Sequence, residues 1–68
     1  MKSISGKRFA KLLENKGWFL VRTSGSHHIY MKPGNPVRIS VPMHGNKDLK
    51  LGLLRHFMNV AGITETEL

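Results

Sequence analysis

Apolar residues recur at helical spacing near both ends of the chain and alternate with polar ones through its middle. Phe9, Leu12 and Leu13 fall at i, i+3 and i+4, with Lys7, Arg8, Lys11 and Lys16 on the remaining turns. That spacing predicts an amphipathic helix with a cationic outer surface. Ser5 is placed to cap it, Ile4 and Phe9 have hydrophobic-staple spacing across the cap, and Gly17 stops it. Aromatic and β-branched residues from Trp18 to Thr23 predict a strand. Ser24-Gly25-Ser26 reads as a turn, and His27 to Lys32 as the second strand of a hairpin. The turn-forming run Pro33-Gly34-Asn35-Pro36 closes that strand. Val37, Ile39 and Val41 then alternate with Arg38 and Ser40 in a third strand, which Pro42 ends. After a polar connection from Met43 to Asp48, a helical pattern returns at about Leu49. Leu54, Met58 and Ala61 form one stripe, Leu53, Phe57 and Val60 lie beside it, and Gly62 marks the end. Gly52 near its start costs about 1 kcal/mol relative to alanine. Thr64 to Leu68 reads as a fraying tail.

The predicted order is α-β-β-β-α, without repeat, linker or low-complexity segment, and residues 1–68 are read as a single domain. Two amphipathic helices and a three-stranded antiparallel sheet with one wet face make a two-layer α+β domain. A chain of 68 residues buries only roughly 60% of the surface its unfolded form exposes, so the core is small.

Charge narrows the function. Eleven Lys and Arg against four Asp and Glu give a net +7, a balance that points to nucleic acid or an acidic protein partner. No apolar run approaches the roughly 20 residues that cross a bilayer. Met1-Lys2-Ser3 leads into an amphipathic pattern, unlike a signal peptide. The absence of cysteine excludes disulfides, thiolate metal sites and thiol nucleophiles. A cytoplasmic protein held by packing alone, with no cofactor, is the expected class.

The acids are Glu14, Asp48, Glu65 and Glu67, two of them in the tail, too few for paired-carboxylate or two-metal chemistry. No nucleophile elbow or phosphate-cradling glycine motif occurs. Histidine remains. His27 and His28 sit side by side after Gly25-Ser26, and imidazole moves protons near neutral pH. Neighbours on a strand point to opposite faces, so the two do not act together on one phosphate. Parity groups His28 with Tyr30 and Lys32, which favours His28 for the polar face, although His27 adjoins the turn where alternation has barely begun. Both also read as plain polar residues at a hairpin end. Zinc does not fit, with His44 in a loop, His56 on a helix and no acidic pair beside them. His44 is read as a loop residue near the active surface. Arg22, Lys32 and Arg38 on the strands, and Lys47 and Lys50 before the second helix, are the cations placed to hold and neutralise RNA phosphate.

Gly17-Trp18, Val21-Arg22, Gly25-Ser26-His27-His28-Ile29-Tyr30, Val41-Pro42, His44, Lys47-Asp48-Leu49, Gly52, Leu54 and Ala61-Gly62 occur in the order and spacing of one family. From about Ile4 to Ile63 the chain resembles the HicA (YcfA-like) toxins of bacterial type II toxin–antitoxin systems. The resemblance implies an mRNA interferase with a double-stranded-RNA-binding-domain-like α-β-β-β-α fold. It also implies that the catalytic histidine is the one after Gly-Ser, here His27, in place of the one parity favours. Gly25 then supplies the tight turn, Ser26 local hydrogen bonding, and His28 fills a variable position beside them. The chain departs from the family at Leu51, where proline is common, and at Leu53, where threonine is. The implied partners are mRNA and a HicB-type antitoxin, which covers the RNA-cleaving surface. The alternative is a non-catalytic RNA-binding module that grips A-form RNA by shape and phosphate contacts. A third reading is a basic subunit that only docks an acidic protein.

Overall fold

A computed structural model describes residues 3–68. Met1 and Lys2, on which the expectation of no signal peptide partly rests, lie outside them. Helix α1 (Gly6–Asn15) is followed by strands β1 (Phe19–Ser24), β2 (His27–Lys32) and β3 (Asn35–Pro42), and then by helix α2 (Leu51–Ala61). The strands form one antiparallel sheet in the order β1-β2-β3. This is the α-β-β-β-α architecture that the pattern predicts.

The α1 signals act as expected. The Ser5 hydroxyl accepts the Arg8 N–H at 3.3 Å, satisfying one of the helix's free amides. Ile4 and Phe9 are both buried across that cap. Phe9, Ala10 and Leu13 of α1 meet Tyr30, Ile39 and Val41 of the sheet and Leu54, Phe57 and Met58 of α2 in one core cluster. Phe9 and Phe57 stack with ring centroids 5.7 Å apart, tying the helices together over the sheet. Tyr30, Ile39 and Val41 mark the covered face of the sheet, and by strand alternation the other face is open.

Several boundaries differ from the sequence reading. Trp18 precedes β1 and packs in the core, its ring nitrogen without a partner. The second turn is shorter than the run of turn residues suggests. Pro33 and Gly34 form it, while Asn35 and Pro36 already belong to β3. Proline is tolerated there because β3 is an edge strand. Helix α2 starts at Leu51, two residues after the apolar pattern resumes, because Leu49 is held by another partner. Its N–H donates to the Ile4 carbonyl at 2.8 Å, next to a Ser5–Asp48 bridge. Leu49 joins the core cluster from this paired segment, ahead of the helix. Leu53, expected beside the buried stripe, is exposed. The tail, read as fraying, has a defined conformation. Thr64 and Glu67 form a reciprocal capping box around a short 3-10 turn, Glu65–Glu67. Lys16 at the end of α1 pairs with Glu67 at 2.6 Å, and Leu68 packs on the core.

Candidate active site

The candidate site is built at the end of the β1–β2 hairpin and on the open face of the sheet. Gly25 and Ser26 form the two-residue turn, with Ser24 paired to His27. Gly25 has φ +59° while Ser26 does not share the positive φ. That is the requirement of a type II′ hairpin turn and the reason glycine stands first. His27 is thereby the first residue of β2, paired on one side with Ser24 and on the other with Pro42. It is exposed.

Register settles which histidine faces which way. His28 pairs with Val41 and Tyr30 with Ile39, and Tyr30, Ile39 and Val41 are core residues. His28 therefore lies on the helix-covered face and is half-buried. The parity grouping of His28 with Tyr30 holds, but the face assigned to it does not, because Tyr30 is a core residue. Burial raises the Tyr30 hydroxyl above its ordinary pKa, and the charge of Glu14 adds to the shift. His27 shares the open face with Ile29, which pairs with Arg22 on one side and Ser40 on the other.

A bulge at Val21 restores Arg22 to this face. The pairing shifts by one residue between Leu20 and Arg22. Arg22 becomes the diagonal neighbour of His27, a separation of about 7–8 Å on an antiparallel pair.

The loop after β3 brings a second imidazole to the same end. The Met43 N–H donates to the Ser26 carbonyl at 2.7 Å, which draws the chain beyond Pro42 alongside the hairpin turn. His44 follows, its ring centroid 6.2 Å from that of His27 and the planes nearly perpendicular at 83°. The Lys47 N–H donates to the His44 carbonyl at 3.1 Å, so Lys47 belongs to the same turn. Gly6 makes this approach feasible from below. A Cβ there would collide with the Pro42 carbonyl oxygen and touch the Met43 sulfur.

The expected cations are not all gathered here. Arg22 lies one row from His27, and Lys47 shares the turn of His44. Arg38 shares the open face by alternation but lies further along β3. Lys50 sits at the start of α2. Lys32 is at the far end of β2, about 16 Å along the strand from His27 and against Gly17. It does not join the site. His56 is exposed on α2. No group of three His, Asp or Glu residues is arranged to hold a metal among the described residues. A cleft between α1 and the C-terminal turn, lined by Arg8, Lys11, Asn15 and Glu67 among others, includes none of these residues. No helix of the described residues is long and apolar enough to cross a membrane.

The family whose model matches residues 6–63 is described as the HicA toxin of bacterial toxin-antitoxin systems. The chain belongs to the HicA toxin family. A solved structure described as the HicA3 and HicB3 toxin-antitoxin complex is similar to it, with 33% sequence identity and a TM-score of 0.68. The similarity covers 87% of this chain and 94% of that one. Among curated proteins none matches. The HicA match spans the hairpin with Gly25, Ser26 and His27, the loop with His44, and both helices.

Two contributions to this site are invisible to pattern reading, the closeness of His44 to His27 and the role of Gly6. Both depend on the β2–β3 register, which puts Pro42 opposite His27. The pairing of β2 with β3 shifts between Tyr30 and Lys32, so counting back from the turn gives a different partner for His27. Nothing in the local pattern signals that irregularity.

Proposed function

We propose that this HicA-family chain, acting as one domain over residues 1–68, is a metal-independent endoribonuclease. It cuts mRNA in the cytoplasm, inhibits translation, and is neutralised by a HicB-type antitoxin. The observation that carries the reading is an exposed imidazole, His27, fixed by strand pairing on both sides at the head of an open, cationic sheet face. Arg22 lies one row away on the same face, and Lys47 stands in the adjoining turn. The antitoxin reading rests on the family and on the related HicA3, which was solved in complex with HicB3. Charge complementarity between a +7 chain and an acidic inhibitor speeds association and selects the partner.

In this reading RNA phosphates are held by Arg22, Lys47 and the further cations Arg38 and Lys50. Neutral His27 removes the proton from a ribose 2′-hydroxyl, and the 2′-oxygen attacks the adjacent phosphorus. The substrate thus supplies the nucleophile, which suits a chain with no cysteine and four scattered acids. Gly25 and Ser26 shape the turn that presents His27, and His28, on the covered face, supports the strand beneath it.

Induced expression of wild type and His27→Ala, with total RNA followed over time, tests the reading. Growth inhibition and RNA cleavage are expected to disappear in the variant while the purified protein stays folded, and His28→Ala is expected to be milder. A folded His27→Ala chain that cuts RNA at the wild-type rate overturns the assignment. A chain whose His27→Ala variant keeps RNA affinity while the wild type cuts nothing is the non-catalytic binding module.

A further inference from the structure

Attack by a 2′-oxygen expels the 5′-oxygen of the next nucleotide, and that oxygen leaves readily only when a proton reaches it. We propose that His44 is the general acid that supplies this proton, paired across the scissile phosphate with His27. The proposal rests on His27 being the base.

The geometry of the two rings carries the argument. With centroids 6.2 Å apart and planes at 83°, they are too far apart to hydrogen-bond to one another, which takes about 2.7–3.2 Å between heavy atoms. They are also not stacked. In an in-line displacement the attacking and leaving oxygens lie on opposite sides of phosphorus. A base and an acid, each within about 2.6–3.2 Å of its own oxygen, must then stand apart with the phosphate between them. His27 and His44 are so disposed, and both are exposed to an incoming strand.

Position is fixed on both sides. His27 is held by pairing to Ser24 and Pro42. His44 is held by the Met43–Ser26 hydrogen bond on one side and by its own carbonyl's bond from Lys47 on the other. The acid closest in sequence, Asp48, is engaged elsewhere: its carboxylate accepts the Ser3 hydroxyl at 3.0 Å and its backbone pairs with Ser5. The lysine and tyrosine of β2 do not compete for the role. Lys32 is at the far end of the strand and Tyr30 is buried on the other face.

The step balances. The 2′-hydroxyl proton passes to His27, the O2′–P bond forms, the P–O5′ bond breaks, and the His44 imidazolium gives its proton to O5′. The products are a 2′,3′-cyclic phosphate and a 5′-hydroxyl. His27 is left protonated and His44 neutral, which are the states needed to hydrolyse the cyclic phosphate, with His44 taking a proton from water and His27 returning one to O2′. Hydrolysis restores both side chains.

The test replaces the leaving oxygen by sulfur. The full chain is given an oligoribonucleotide spanning a cleavage site mapped beforehand on total RNA, and the same oligonucleotide with the scissile 5′-oxygen changed to sulfur. A thiolate leaves without protonation, so loss of an acid is masked and loss of a base is not. His44→Ala is expected to lose about 10²–10⁴-fold on the oxygen substrate and to return to within a few-fold of wild type on the sulfur one. His27→Ala is expected to stay impaired on both. A His44→Ala chain that cuts the oxygen substrate at the wild-type rate overturns the pairing and leaves His27 standing. A loss that sulfur does not restore overturns it as well, and so does sulfur rescue of His27→Ala. A wild type that leaves total RNA intact, so that no site can be mapped, removes both His27 and His44 from catalysis. Both histidines are exposed, so circular dichroism and thermal melts of the variants should match wild type.

Discussion

Replacing Gly6 by alanine is expected to destabilise the protein and to slow RNA cleavage together, although Gly6 is no candidate for chemistry. Gly6 is the first residue of α1 and is buried. A methyl group there lands on the Pro42 carbonyl oxygen, a backbone atom, with the Met43 sulfur at 3.5 Å. A flexible side chain would swing aside, but a backbone carbonyl paired opposite His27 moves only by displacing the end of β3 or the start of α1. Overpacking of this kind costs about 1–3 kcal/mol. Alanine's better helix propensity offsets at most about 1 kcal/mol of that. From the middle of the overpacking range, about 2 kcal/mol, the net loss is about 1–2 kcal/mol, and at this chain length each kcal/mol lowers Tm by about 4–8 °C. Gly52→Ala is the internal control. Nothing lies within 4 Å of a Cβ at that position of α2, so it is expected to gain up to about 1 kcal/mol. Thermal unfolding of wild type and the two variants by circular dichroism, with cleavage rates measured well below Tm, decides the matter. A Gly6→Ala protein as stable as wild type, or more so, refutes the close-approach argument. One that is destabilised yet cleaves RNA normally refutes the link from Gly6 to the His27 end of the sheet.

Other outcomes follow from the same structure. The Lys16 side chain, and then the Thr64 N–H, hold the Glu67 carboxyl below its ordinary pKa. Its contribution is therefore present above the ordinary carboxylate range and lost as pH falls through the lowered folded value. Amide protection in residues 64–68, taken as exchange relative to an unstructured chain at the same pH, is expected to fall in that acid window, and in Glu67→Gln to be low at neutral pH already; equal protection in the two at neutral pH contradicts the tether. RNA binding should weaken with salt at roughly 0.7–0.9 in log–log slope per neutralised phosphate. Arg22→Ala should lower that slope by about one contact, whereas Lys32→Ala should leave the slope unchanged; the reverse result moves the RNA to the other end of the sheet. Cleavage is expected to persist in excess EDTA, and loss on chelation with recovery on adding a divalent ion contradicts imidazole chemistry.

The elements themselves were legible in the chain because each rests on local physics. Ser5, the Ile4–Phe9 staple and Gly17 fix α1 within a few residues of itself, and alternation through Val37, Ile39 and Val41 fixes β3. The pattern misleads where a distant partner outweighs the local signal. Leu49 has a helical place in the pattern, yet its N–H is bound to Ile4, a residue 45 positions earlier. The tail reads as fraying because it is terminal, yet Thr64 and Glu67 cap each other and Lys16 reaches across from α1. At the candidate site the sequence contains the hairpin turn and its first histidine, because Gly25-Ser26 is a turn signal with local causes. Parity could not choose the face, because Tyr30 reads as amphipathic and only the packed structure shows its ring in the core. The pattern brings His44 no nearer than the same surface, since its distance from His27 follows from the β2–β3 register and from the Met43–Ser26 hydrogen bond.

The most direct test of the central claim is made on the substrate. If His27 acts as a base on the 2′-hydroxyl, a single deoxyribose at the scissile position removes the nucleophile while leaving the phosphate contacts that hold the strand. Cleavage at that site is expected to stop with binding retained, and the all-RNA substrate is expected to yield an upstream fragment ending in a 2′,3′-cyclic phosphate or its hydrolysis product. Cutting that continues at the deoxyribose, or an upstream fragment with a free 3′-hydroxyl and phosphate on the downstream piece, shows attack by water and contradicts the mechanism even if His27 is essential.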